Sequence, residues 1–247
     1  METTFIPSRR GYDIPCHDTW NGEDRVVIVC HGFGSSKSSL MVQALERYLP
    51  ERGTGVFAFD LPAHGESPVW DLRVTWCMDD LAAVEEQIRA RAPGVRLGYF
   101  GSSFGAFTTL NSLAAFPHAG KKAFLRSSAV VMHRLVDTWV DEAARREMAE
   151  KGYFVPDYDY VREMRVTPLF LEELAAHNVF KTYRKGEAEL FMVHGGRDSV
   201  APVEAARRFA STFGASFLEV PEGEHDLMGP GQLDRVLEAA GAFFADL

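Results

Sequence analysis

The chain has 247 residues, 46% hydrophobic and 25% charged, and its 26 basic and 35 acidic side chains leave a formal charge of −9. A single domain of this length buries roughly 70–75% of the surface its unfolded form exposes, so it needs neither disulfide nor metal staples. The dispersed acidic balance disfavours a nucleic-acid groove, and no apolar run reaches the roughly 18 residues of a membrane span, so neither nucleic acid nor a membrane is an expected partner.

The opening Met-Glu-Thr-Thr-Phe-Ile-Pro has no basic stretch followed by an apolar one. No secretory leader is expected there, and the expected location is the cytoplasm. Residues 11–20 read as a strand, and Asn21-Gly22 as the hairpin turn after it, which would put antiparallel strands at one sheet edge. From residue 25 onward short apolar runs recur at 25–30 (RVVIVC), 55–60 (GVFAFD), 96–101 (RLGYFG), 123–130 (AFLRSSAV), 189–195 (ELFMVHG) and 215–222 (ASFLEVPE). Near-continuous apolar runs suit parallel strands buried on both faces. Between them, apolar residues recur at helical spacing: Leu40, Leu45 and Leu49; Trp76, Leu81, Val84 and Ile88; the run 104–116, ended by Pro117; then 203–213 and 233–244. This alternation predicts an α/β fold with a doubly wound, mostly parallel sheet. The three cysteines, Cys16, Cys30 and Cys77, match no metal or redox spacing and read as buried free thiols.

The rhythm breaks once, between Ser128 and Glu187. Residues 133–151 read as one amphipathic helix, 151–159 (KGYFVPDYD) as an aromatic loop, and 168–177 as a further short helix. Four of the seven tyrosines fall in this stretch. It reads as a small helical cap insertion, 129–186, set into a core made of 1–128 and 187–247. An ordinary long crossover on the back of the sheet is the alternative.

The strongest chemical signal is Gly101-Ser102-Ser103-Phe104-Gly105, a G-x-S-x-G pattern between a predicted strand and a predicted helix. That setting is a nucleophile elbow, whose tight turn presents the central hydroxyl. A serine needs a base, and the base an orienting acid. Asp198, in the loop HGGRDSVAP after an apolar strand, is the candidate acid; a turn-forming Asp is the bland alternative. His225, in EGEHDL after the last strand, is the candidate base, with a solvated loop histidine as its alternative. Glu224 and Asp226 are the acids to test next. The oxyanion donors should be the backbone N–H groups of Phe104 and, from the glycine-rich loop HGFG, of Phe33. That loop lacks the downstream pattern of a phosphate-binding loop. His31 and His194, each before a glycine at a strand end, read as structural. The eight histidines show no zinc-ligand spacing, so no metal is expected.

HGFG at 31–34, FDLPAHGES at 59–67, GSSFG at 101–105, HGGRDSVAP at 194–202 and EGEHDL at 222–227, in that order, resemble the α/β-hydrolase superfamily over nearly the whole chain. The resemblance implies Ser103 as nucleophile, Asp198 as acid and His225 as base, with oxyanion donors at Phe33 and Phe104. It implies a serine carboxyl-ester hydrolase working without cofactor on a small-molecule ester. The short insertion looks most like the feruloyl/cinnamoyl esterase and monoacylglycerol lipase branch. In the 60–67 loop Ala63-His64 stands where Gly-His or Gly-Arg is common; that loop is mainly architectural, and His64 is left out of the site. Thioesters, small amides and C–C bonds suit the same triad, and a non-catalytic ligand-binding protein on this scaffold is the reading from another class. Trp139 and Tyr158 in the insertion are the candidate substrate-binding aromatics. No heptads or other assembly signature indicate an oligomeric state.

Overall fold

The computed structural model describes residues 2–158 and 160–247. Among the described residues eight strands form one sheet: β1 (Thr4–Pro7), β2 (Asp13–Asp18), β3 (Arg25–Cys30), β4 (Gly55–Phe59), β5 (Arg96–Ser102), β6 (Lys122–Arg126), β7 (Glu189–Gly195) and β8 (Ser216–Val220). Their spatial order is β1-β2-β4-β3-β5-β6-β7-β8. Only β1–β2 and β2–β4 pair antiparallel; every other pair is parallel. Helices α1 (Leu40–Tyr48), α2 (Val74–Arg91), α3 (Phe104–Ala115), α8 (Val203–Phe213) and α9 (Gln232–Phe244) alternate with the strands, while α4 (Met132–Asp137), α5 (Glu142–Lys151), α6 (Pro168–Ala176) and α7 (Val179–Thr182) lie between β6 and β7. None of the described helices is long and apolar enough to cross a membrane.

The two-residue period of a strand sends alternate side chains to opposite faces. Ile28, Cys30, Tyr99, Leu125 and Met192 therefore join one buried layer, which α2, α3, α6 and α8 complete. Val27, Val29, Phe100, Phe124 and Val193 face the other layer, against α1 and α9. With both faces covered, the strands contain few polar residues. All three cysteines are buried and free, and burial pushes the thiols of Cys16, Cys30 and Cys77 above their ordinary range.

Three local expectations differ from the structure. The antiparallel edge exists, but its hairpin is the turn Ser8–Tyr12, closed by Ser8 N–H on the Tyr12 carbonyl (2.8 Å) and Tyr12 N–H on Ser8 Oγ (3.1 Å). Asn21-Gly22 instead lies in a loop that carries the chain past β4 to β3. Trp20 pins that loop: its ring is buried against Gly55, and its indole N–H donates to the Glu23 carbonyl (2.7 Å). The helix expected over 133–151 is two helices, because the Asp141 carboxylate accepts from Ala144 N–H (2.8 Å) and starts a new one. The strand expected over 123–130 stops at Arg126, where Ser127 turns the chain at φ 48°.

Strand β3 is followed in space by β4 on one side and β5 on the other. The chain thus winds away from this point in both directions, and a crevice opens at the carboxyl ends of β3 and β5.

Candidate active site

Strand β5 runs directly into Ser103 and then α3, so the chain must reverse within one residue. Ser103 sits at φ 51°, ψ −111°, a conformation that costs an L-residue strain and is eased only for glycine. Its N–H donates to the Arg126 carbonyl (2.8 Å) and its carbonyl accepts from Ala106 and Phe107 N–H (3.1 and 3.2 Å), so the turn is held from both sides. The flanking glycines let the helix close on the sheet. A Cβ on Gly101 would lie 2.7 Å from Ala106 Cα, and one on Gly105 would run into the carbonyl oxygens of Cys30 and His31.

His225, in the loop between β8 and α9, brings Nε2 to 2.9 Å from Ser103 Oγ and Nδ1 to 2.8 Å from Asp198 Oδ2. A carboxylate only accepts, so Nδ1 carries the proton and Nε2 is left to accept from the serine hydroxyl. Asp198, in the loop after β7, is buried. Its Oδ1 accepts from Val200 and Ala201 N–H (2.9 and 2.7 Å), and Oδ2 also lies 3.1 Å from His194 Nε2. Burial pushes this carboxyl up, but hydrogen bonds from His194, His225 and Ala201 outweigh it and hold the group well below the usual carboxylate range. Asp226 spends an oxygen on the N–H of Met228 (3.1 Å), and it is Asp198 that meets His225 Nδ1.

A Cβ on Gly32 would lie 3.5 Å from the Cβ of Ser103, so the loop after β3 passes beside that serine. Among the described residues neither Phe33 N–H nor Phe104 N–H has a protein acceptor. The Phe33 loop is fixed from below. His31 accepts from Leu61 N–H at Nε2 (3.1 Å), and Asp60 gathers Lys37 N–H (2.7 Å), Lys37 Nζ (3.0 Å) and Glu66 N–H (2.9 Å). His64 is fully buried under this loop, its ring 5.7 Å from that of Phe33, and burial drives its pKa well down.

Beside Ser103 a cavity of about 180 Å³ is walled by Phe33, Met41, Ser102, Arg126, His225 and Asp226 among others. Trp139 and Tyr158 do not line it. The Trp139 ring lies 5.2 Å from Phe33, and Tyr158, 59% exposed, stands 6.3 Å from Trp139 and 5.4 Å from Tyr160. The physical reason is the sheet itself: the cavity opens toward α1, whereas the aromatic insertion covers Phe33 on the α2–α3 side.

Motif order in the sequence brings Ser103, His225 and Asp198 together. It misses two neighbours. His194, read as structural, reaches the acid, and its spacing four residues before Asp198 at a strand end was the available signal. Arg126 reaches the cavity from the end of an apolar strand, which carries no local signal at all.

A family model described as "alpha/beta hydrolase fold" matches residues 25–145. Among solved structures of like fold are a putative hydrolase from Agrobacterium vitis (19% identity, TM-score 0.84), mouse alpha/beta hydrolase domain-containing protein 10 (15%, 0.78), and Est1E from Butyrivibrio proteoclasticus with ferulic acid bound (19%, 0.78). Each pairing covers 98% of this chain and 98% of the other. No curated protein matches the sequence.

Proposed function

We propose that this chain, an α/β-hydrolase by fold, is a serine hydrolase that cleaves carboxylic esters through an acyl-enzyme. The observation that carries the reading is the continuous hydrogen-bonded line from Asp198 through His225 to Ser103 Oγ, beside two N–H groups that have no protein acceptor among the described residues. Ser103 Oγ attacks the ester carbonyl while His225 Nε2 takes its proton. Asp198 holds the imidazole in the tautomer that can accept and stabilises the imidazolium that forms. The N–H groups of Phe33 and Phe104 receive the developing oxyanion. The imidazolium then protonates the leaving alkoxide, and water clears the acyl group by the same route.

Est1E, of the same fold, holds ferulic acid, and hydroxycinnamoyl and acylglycerol esters are the first classes to offer this chain. The insertion between β6 and β7 covers Phe33 on the side away from the cavity, and Trp139 steadies that oxyanion-donor loop for every ester alike. A fluorophosphonate probe tests the mechanism. Stoichiometric labelling that Ser103→Ala and His225→Ala both abolish supports it, with kcat falling about 10⁴-fold or more in each variant and little further in the double. Labelling that survives Ser103→Ala refutes it.

A further inference from the structure

The wall of the cavity beside Ser103 contains a cation that the steps above do not use. Arg126 ends β6 and points to the α1–α9 side of the sheet, as does Phe124 two residues earlier. Its Nε donates to Ser102 Oγ (3.0 Å), and Nη1 donates to the carbonyl of Asp226, the residue after His225. Nη2 has no acceptor among the described residues, and no carboxylate there comes within ion-pair distance of the guanidinium. Asp226 and Asp198 act on it only from farther off, and burial lowers it to about 10, still charged at neutral pH. Ser102 Oγ already accepts from Arg126, so its own hydroxyl proton is free to donate into the same space.

A partly desolvated guanidinium with an unused nitrogen, next to a spare hydroxyl, is built to receive an oxyanion. Arg126 and Ser102 share their cavity with Ser103 and His225, so whatever they bind reaches the reacting ester. The rest of the wall includes Val29, Met41 and Val42, which suit a short methylene chain. A single cation suits a monoanion better than a phosphate dianion, and about 180 Å³ leaves room for a few carbons.

We propose that Arg126 is a specificity-determining residue that binds a free carboxylate on the substrate, making this enzyme a hydrolase of half-esters of short dicarboxylic acids. The proposal rests on the ester-hydrolase reading and narrows its substrate class. Asp226, also in the wall, opposes an anion, but its carboxylate turns an oxygen to Met228 N–H.

The test compares monomethyl glutarate with methyl pentanoate, its neutral counterpart of equal length, by pH-stat. The readout is the ratio of their kcat/KM values in wild type, Arg126→Met and Arg126→Lys. Wild type should favour the half-ester at least tenfold, Arg126→Met should lower the ratio about 30-fold, and Arg126→Lys should restore part of it, as expected for a charge-assisted hydrogen bond. An unchanged ratio in Arg126→Met, with both esters losing equally, overturns the proposal and leaves Arg126 as a brace for the His225 loop. Should Arg126→Met fail to fold, Arg126→Gln, whose amide nitrogen takes the place of Nε and can still donate to Ser102 Oγ, gives the same comparison. Binding of glutaramate, the amide analogue, against pentanamide by ligand-observed NMR separates the two readings. Glutaramate bound by wild type and lost in the variant upholds the carboxylate site even if neither ester is cleaved. No preference for glutaramate overturns it even if both esters are cleaved.

Discussion

Replacing Asp198 by Asn should inactivate the enzyme by a route visible in the hydrogen bonds. Asp198 Oδ1 accepts from two backbone N–H groups, of Val200 and Ala201, and Oδ2 accepts from His225 Nδ1. An amide has one oxygen and one NH₂. The oxygen must stay with the two backbone donors, because turning the NH₂ toward them would leave both unsatisfied at about 1–3 kcal/mol each. The NH₂ then faces His225 Nδ1 and His194 Nε2. The imidazole of His225 can meet it only by moving its proton to Nε2, which then points a hydrogen at Ser103 Oγ and can no longer accept one. The same tautomer error elsewhere costs about 10⁴-fold, and we expect about 10³–10⁴-fold here, or about 4–5.5 kcal/mol of barrier. The assay is kcat on an activated ester together with the rate of fluorophosphonate labelling, both at pH 8, and KM should change much less. The fold carries a second signature. The Asp198 carboxyl is held below its unfolded value, so it stabilises the protein above pH ~4, and that contribution is lost as pH falls. The Tm gap between wild type and Asp198→Asn should therefore narrow from pH 6 toward pH 3. A variant within tenfold of wild-type kcat would refute the tautomer argument and move the acid elsewhere.

Gly105→Ala places a methyl against the Cys30 and His31 carbonyl oxygens, where only backbone can yield; we expect a loss of at least about 3 kcal/mol by urea unfolding, or no folded protein. Glu46, facing His17 Nδ1 at 3.2 Å, is pushed up to about 7 by burial. The unfolded chain ionises it first, so wild type loses stability between pH ~4.5 and 7, and Glu46→Gln should gain up to about 2 kcal/mol over wild type at pH 8 and nothing at pH 4. Trp139→Ala removes packing from Phe33 and should lower kcat on every ester tested, whereas Tyr158→Ala, more than half exposed, should change kcat/KM less than threefold. A Trp139→Ala variant altered only in ester preference would place that ring against substrate instead.

What the sequence reveals and hides follows from the range of the interactions. Buried parallel strands advertise themselves because both faces are apolar, and G-x-S-x-G between strand and helix marks an elbow within five residues. Asp198 and His225 are readable because each sits in a polar loop directly after an apolar strand. Local signals fail where a distant contact decides. Asn21-Gly22 is a strong hairpin signal, yet β4 pairs with β2 and Trp20 locks the loop into a crossing path. The 133–151 periodicity is real, but one carboxylate, Asp141, claims an N–H and splits it. Arg126 becomes interesting only once β6 lies beside β5 and the His225 loop folds over both.

The dihedral angles of Ser103 have an evolutionary consequence. A side chain at φ 51°, ψ −111° burdens the native state by about 1–3 kcal/mol, which glycine would relieve, against roughly 0.5–1 kcal/mol for glycine's greater freedom when unfolded. Mutation toward glycine at this one codon is thus neutral or favourable for folding, expression and turnover in the cell. Drift would erode this position first in any lineage that no longer used the chemistry, and the resulting protein would be sturdier than its ancestor. A serine that persists there does so against the preference of its own backbone.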